Sequence, residues 1–374
     1  MRIHELHAFR RRGAPASRDQ ALQLAAIRTL LTQIDTADAP PEADLAVPEL
    51  CRGAIRPFFA AEDLEARLDW ADKLAGDTRT TVLTHLRRAK ELGPNRRVAA
   101  PPDPHAVAAL AGDFPHCAAI TDLLARRIAL ARCCPTPTLA LPPLLLVGPP
   151  GTGKTALARR IAEMLAVRCV DIDMASLHSS FSLVGLDAGY ATGRPGKVWE
   201  VLQGECMSPV LVLDELDKAQ RADSSEDVIG FLYALLEPLS AKRFSDAALG
   251  LQVDASHITW IATCNDVNAV NPAILSRFTV VTIDHPTRAQ MPDVIRSIHR
   301  DLVRAADWYS WFAPGLPSAV IDALIPLPPR AVRKALEDAY ARAAADDRRW
   351  LEAADVCSTF EVASTARRIG FVTT

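Results

Sequence analysis

The sequence predicts an α/β fold: a mainly parallel sheet flanked by helices, with helical regions before and after it. Three observations predict this. The stretch GPPGTGKT (148–155) directly follows the apolar run LLLV and precedes the helix-forming TALARRIAEML. Short apolar runs alternate with helical stretches from about 144 to 283. Past residue 286 the apolar runs stop and only helical periodicity remains. Apolar strands separated by helices indicate a parallel sheet covered on both faces.

In chain order, residues 1–100 read as a helical N-terminal domain. ALQLAAIRTLLTQI (21–34), AEDLEARLDWADKL (61–74) and TTVLTHLRRAKELG (80–93) carry apolar residues at helical spacing, the last stopped by Gly93-Pro94. TADAPPEADLAVPEL (36–50) reads as a Pro-rich connection, and VAAPPDPHAV (98–107) as a linker with a domain boundary near 100. ITDLLARRIALARCC (120–134) is an amphipathic helix, followed by the turn-rich PTPTLALPP. Strands are expected at 144–147, 169–172, 210–213, 258–263 and 278–283. Residues 101–286 then form the α/β domain. Residues 287–374 form an all-α end, with helices in TRAQMPDVIRSIHRDLVRAA and PPRAVRKALEDAYARAA.

Composition narrows the function classes. The chain has 374 residues, 49% hydrophobic and 23% charged, with a net charge of −3. That suits a globular protein with a sizeable core and shows no global basic excess for nucleic-acid binding. The apolar runs are too short to span a bilayer, and the arginine-bearing N-terminus has no apolar core of a secretory signal. Eight cysteines form no CxxC pair and have no accompanying histidine cluster, so no zinc site is expected. Cys169, Cys206 and Cys264 read as small core residues, and a reducing cytoplasm is the expected location.

GPPGTGKT is a phosphate-binding loop in its proper context, strand before and helix after. Gly148, Gly151 and Gly153 let the backbone approach phosphate closely. The turn's N–H groups and the start of the following helix attract the anion. Pro150, Thr152 and Ala156 complete the loop, Lys154 supplies charge to the β- and γ-phosphates, and Thr155 is placed to ligate Mg²⁺. Hydrolysis also needs a metal holder and a water activator. In VLVLDELDK, Asp214 and Glu215 stand at the carboxyl end of a strand, where ligands bind in open parallel sheets. Asp214 is expected to hold Mg²⁺ and Glu215 to orient the attacking water, with Asp217 and Lys218 on the solvated rim. ATP and Mg²⁺ are the cofactors these residues imply, on a P-loop NTPase sheet.

These residues resemble the AAA+ ATPases, and more closely the ATPase module of Lon-type proteases. GYATGRPGKVWEVL (189–202), LDELDK with the later FLYALLEPLSAKRFSD, and ATCNDVNAVNPAILSRF are similar to stretches of Lon; the resemblance covers roughly 105–345. It implies that Asn265 is the sensor-1 residue beside the γ-phosphate. It implies that Arg277 is an arginine finger reaching a neighbouring subunit's site. Arg330, with Arg333 as competitor one turn later, fits sensor 2 on a helical lid. Tyr190 falls where Lon-like rings place an aromatic residue that lines the pore and grips unfolded polypeptide, and Phe181 upstream could share that role. KRFSDAALGLQVD is similar to an extra hairpin of the Lon-like branch.

The sequence also departs from Lon. Only 44 residues follow Arg330, with no serine-lysine arrangement in a domain-sized context, so no peptidase activity is expected. Three functions stay open: a homo-hexameric ring that remodels or unfolds a protein substrate, a nucleic-acid-acting ATPase, and a nucleotide-gated regulator or adaptor. The mildly acidic chain argues against nucleic acid. An arginine finger acting in trans requires an oligomer.

Overall fold

The computed structural model describes residues 51–177, 181–190, 192–221 and 225–356. The helix expected at 21–34 and the final residues from Cys357 lie outside them. The chain divides into two compact units: among the described residues, one takes 51–294 with 328–330, the other 295–327 with 331–356.

The first unit is organised by a five-stranded parallel sheet. Its strands are β3 (Leu144–Val147), β4 (Cys169–Asp173), β5 (Val210–Asp214), β8 (Thr259–Cys264) and β9 (Thr279–Thr282), in the spatial order β4-β5-β8-β3-β9. All five expected strands are present, within a residue or so at each end. The runs are continuously apolar because the central strands are covered on both faces: Leu144, Leu145, Leu146, Val210, Leu211, Val212, Leu213, Ile261 and Ala262 are all fully buried. Pleating sends Leu144 and Leu146 to one hydrophobic cluster and Leu145 to the other. In register, Val147 of β3 pairs with Cys264 of β8, and Asp173 of β4 with Asp214 of β5. The carboxyl ends of these strands therefore share one edge, where the loops carry chemistry.

The expected helices at 61–74, 80–93 and 120–134 appear as Ala61–Ala71, Gly76–Leu92 and Ala118–Arg132. Two features of this region differ from the sequence reading. A short antiparallel pair, β1 (Ile55–Pro57) and β2 (Asn95–Arg97), brackets the first two helices. Phe58, Val82, Leu86 and Val98 join the same core cluster as Leu145, Trp199 and Leu211, so residues 51–100 share the sheet's core instead of building one of their own. The stretch read as a linker also starts a helix, Pro104–Asp113, with Val107 and Leu110 buried. Its signal was present in the sequence: the Asp103 carboxylate caps the His105 N–H at 2.8 Å, and Pro104 occupies the first turn.

The stretch KRFSDAALGLQVD folds as a small hairpin, β6 (Phe244–Ser245) against β7 (Gln252–Val253). Its Asp246 is fully buried and fastens the loop that carries Tyr190. One carboxylate oxygen accepts from Gly196 N at 2.7 Å, the other from Ala248 N at 2.9 Å. Gly185 (φ +90°) is needed here, because a Cβ would lie 2.6 Å from the Asp246 carboxylate. Burial pushes the Asp246 carboxyl up to about 7 despite these backbone donors.

The linkage has a definite sign. Between the ordinary carboxyl range and pH 7 the folded state holds a proton that the unfolded state has released, so this group's contribution to stability falls as pH rises through that window. Asp246→Asn removes the titration and turns an amide N–H₂ toward a backbone N–H, a loss of about 1–3 kcal/mol. Thermal unfolding is expected to show a larger gap between wild type and variant at pH 5 than at pH 8. A gap independent of pH would mean that Asp246 does not titrate in this range.

Among its described residues the second unit holds no strand; its regular elements are helices and a 3₁₀ turn, Asp307–Trp311. It takes most of the helices Met291–Ala305 and Pro329–Ala345 together with Ser318–Leu324. An aromatic cluster holds it together. The His299 ring is 2.8 Å from the Tyr340 hydroxyl, and Trp308, Tyr309 and Phe312 pack their rings around Tyr340. Burial pushes His299 down to about 4, so it stays neutral at physiological pH. No described helix is long and apolar enough to cross a membrane.

Candidate nucleotide site

The loop after β3 turns sharply at Gly151 (φ +84°) and Gly153 (φ +88°), both in the left-handed region that favours glycine. Gly148 leaves no room for a side chain: a Cβ would lie 2.1 Å from Ile283 O. Gly153 caps the helix Lys154–Met164, whose buried Leu157, Ala158 and Ile161 fix it on the sheet. Its free N–H groups and positive dipole end therefore face the loop.

Lys154 is buried and fully engaged. Its Nζ donates to Gly148 O at 2.7 Å, Pro149 O at 3.0 Å and Asn265 Oδ1 at 3.0 Å. Burial pulls its pKa below the lysine range, while Cys264, Asp214, Asp217 and Glu215 pull it the other way. Strand order explains the contact with Asn265. β8 lies between β3 and β5, so Asn265, the residue that follows β8, falls between the phosphate loop and the acidic pair.

Asp214 Oδ1 accepts from the Thr155 hydroxyl at 3.1 Å and also from the Thr263 hydroxyl. Thr263 is buried, and its oxygen accepts from Glu215 N at 3.1 Å. Glu215 adopts φ +59°, a left-handed conformation that costs on the order of 1 kcal/mol for a residue with a side chain. Glu215 N–Thr263 and a bond from Lys218 N to Glu215 O at 2.9 Å hold it there. The Glu215 carboxylate pairs with Lys218 Nζ at 2.5 Å. In the sequence Thr263 reads as one more residue of a strand. Its only signal is a hydroxyl near the carboxyl end of a mostly apolar strand, which Thr259 shares at the other end, and its importance depends on which strand lies alongside.

Asp217 is a correction to the sequence reading. Instead of sitting on the solvated rim, it is half-buried, and its Oδ2 accepts from Asn265 N at 3.1 Å and Asp266 N at 3.3 Å. It thus fixes the backbone of the Asn265 turn. Lys218 is exposed, as expected. Phe114 and His116, which no sequence motif marks, also contact the loop: the His116 ring is 2.9 Å from Thr152 O, and Phe114 approaches Gly153.

Arg330 groups with the sheet unit and crosses the phosphate loop. Its Cδ lies 3.1 Å from where a Gly151 Cβ would stand. Arg333 instead pairs with Glu337 at 3.1 Å along its own helix. Arg277 takes part in neither the Lys154 nor the Asp214 network. Its guanidinium lies over the Tyr233 ring, 4.2 Å from the centroid, and donates to Ala273 O at 3.2 Å. Tyr190 is 64% exposed at the tip of a tight hairpin closed by reciprocal backbone bonds between Leu186 and Arg194. Thr78 Oγ1 donates to Tyr190 O at 3.3 Å, so the backbone is held while the ring is free of the core. Phe181 is also exposed.

The residues fit a magnesium-bound nucleoside triphosphate. The loop has the glycine conformations that an anion nest requires, a lysine at its centre, and a hydroxyl and a carboxylate in contact where a hard cation takes oxygen ligands. Thr263→Val keeps the shape of the strand but removes both of its bonds, leaving Glu215 N–H unpaired. We expect nucleotide turnover to fall about tenfold and Thr263→Ser to restore it. Equal turnover in the valine variant would show that the bridge plays no part in positioning Glu215.

Residues 144–283 match the family model described as ATPase family associated with various cellular activities (AAA). The Lon protease of Syntrophus aciditrophicus is 36% identical over 143 residues, 38% of this chain and 18% of that protein. The Lon protease of Dictyoglomus thermophilum is 28% identical over 268 residues, 71% of this chain and 31% of that protein. These matches span less than a third of the relatives' length. Among solved structures, the chain is similar to the S. cerevisiae Hsp104:casein complex in its extended conformation. That likeness has a TM-score of 0.51 at 17% identity and covers 64% of this chain and 47% of that one; it bears on the fold alone.

Proposed function

Given an AAA-family module at residues 144–283, similar to that of Lon proteases, we propose that this chain hydrolyses ATP in a ring and uses the cycle to pull on a polypeptide. The observation that carries the ATPase reading is the joined network at the strand ends. Lys154 contacts Asn265, Thr155 and Thr263 share Asp214, and Thr263 holds Glu215. The phosphates would be held by the N–H groups of the 148–155 turn and by Lys154, with Arg330 closing over Gly151. Thr155 and Asp214 would hold Mg²⁺, which supplies charge neutralisation at the phosphates. Glu215 would take a proton from water, and Asn265 would orient that water.

Polypeptide is favoured as the load by Tyr190. Its exposed ring stands on a hairpin anchored through Asp246 and Gly196 to the same sheet unit, which suits a grip that must transmit force. A ring is favoured by Arg277, which lies outside its own chain's nucleotide network and would act on a neighbour's γ-phosphate.

Steady-state ATP hydrolysis across a protein-concentration series tests this reading. Specific activity is expected to rise with concentration, to increase with unfolded casein and to ignore single-stranded DNA. Tyr190→Ala is expected to remove the casein stimulation while leaving basal hydrolysis. Stimulation by DNA alone would replace polypeptide with nucleic acid as the load. Absence of hydrolysis at every concentration would leave a nucleotide-gated regulator.

A further inference from the structure

Two of the eight cysteines are joined. Cys51 and Cys206 form a disulfide across 155 residues, with their Cα atoms 5.8 Å apart. Cys206 is therefore not the simple core residue the sequence suggested, and the other described cysteines remain free. The bridge forms part of the wall of a cavity of about 610 Å³. Among the described lining residues are three arginines, Arg52, Arg97 and Arg168, against one carboxylate, Glu205. Nothing in the nucleotide chemistry uses this cavity.

We propose that Cys51–Cys206 is a thiol-exchange site whose reaction partner is a small anionic thiol guided by Arg52, Arg97 and Arg168. The two sulfurs are unequal. Cys51 is only 2% exposed, whereas Cys206 is half-buried, so the incoming thiolate attacks Cys206 Sγ. The new bond is a mixed disulfide at Cys206. The Cys51–Cys206 bond breaks, and Cys51 leaves as a thiolate that takes a proton from water. A second anionic thiol then attacks the mixed disulfide at the sulfur of the first. It releases the small-molecule disulfide and leaves Cys206 reduced, so two thiols are oxidised and one protein disulfide is reduced. The guanidiniums favour both steps, because positive charge concentrates the anionic thiol and stabilises the protein thiolates.

The backbone fits a bond that is made and broken. Cys51 sits at φ +70°, a left-handed conformation unusual for a residue with a Cβ. Such outliers persist only where surrounding contacts enforce them. Here the bridge and a backbone bond from Cys51 N to Ala166 O at 3.1 Å do so. On the other side, Cys206 is fixed by its neighbours' bonds to β2: Arg97 N donates to Glu205 O and Met207 N donates to Arg97 O, both at 2.9 Å. Opening the bridge therefore frees the Cys51 end first. Cys206 lies just beyond the helix Lys197–Leu202, which leads out of the Tyr190 loop. In a reducing compartment, a disulfide of this kind belongs with those that sense redox state.

The test uses the full chain purified without reductant. Alkylation followed by peptide mass spectrometry should recover a Cys51–Cys206 linked peptide. Its reduction is then timed with glutathione, an anionic thiol, and with cysteamine, a cationic one. Both are applied to wild type and to Arg97→Glu/Arg168→Glu, whose altered side chains are exposed. Each thiol is compared across the two proteins, so its own reactivity cancels. The variant is expected to slow glutathione about tenfold and to speed cysteamine, with both differences collapsing in 1 M salt. No linked peptide, or unchanged glutathione rates in the variant, would overturn the proposal. Neither readout depends on ATP hydrolysis.

Discussion

Glu215→Gln is expected to lower the turnover number for ATP by at least about 100-fold while leaving nucleotide affinity within about threefold. The amide keeps the size of the side chain but cannot take a proton from water. The phosphate loop, Lys154 and the Thr155–Asp214 pair are untouched, so binding persists. The backbone at φ +59° is also retained, because Thr263 and Lys218 hold it through main-chain atoms. Only the side-chain pair with Lys218 is lost, and both partners are substantially exposed, so its contribution to stability is small. Phosphate release and equilibrium binding of a fluorescent ATP analogue, measured on one preparation, separate the two effects. A variant that turns over normally would remove Glu215 from the reaction. A variant that loses binding would point to damage in the loop.

Arg277→Ala is expected to lower turnover by about 1,000-fold, the lower range for an arginine finger. The more telling result comes from mixing. An Arg277→Ala subunit keeps its own Glu215, and a Glu215→Gln neighbour keeps its Arg277. If the finger acts in trans, a mixture of the two inactive variants regains hydrolysis at the interfaces where these meet. If Arg277 only braces its own chain through Tyr233 and Ala273, the mixture stays inactive. The variant also leaves the Tyr233 ring uncovered, so its melting temperature should be measured in parallel. A stable variant whose mixture stays inactive argues against the finger.

Much of the candidate site could be read locally. The glycines of the phosphate loop, Lys154 and Thr155 form one contiguous segment, and their conformation follows from residue type. Asp214 and Glu215 were legible because an apolar strand delivers whatever follows it to the same edge of a parallel sheet. Thr263 and the inward role of Asp217 were not, because each matters only through a neighbour brought alongside by the fold. The helix at Pro104–Asp113 carries its cap in the sequence, but its prolines give the stretch the look of a linker.

The α/β alternation, the phosphate loop and the acid or amide side chains at the strand ends follow from local sequence alone. Backbone preference and hydrophobic period act over a few residues, so these features need no distant partner. Only the packing of the fold sets β8 between β3 and β5, which brings Asn265 to Lys154 and Thr263 to Asp214. The same packing brings Arg330 across Gly151, anchors the Tyr190 loop on Asp246 and joins Cys51 to Cys206. Strand order and cross-chain pairing are settled by which buried faces fit together, and many orders are compatible with the same run of apolar strands.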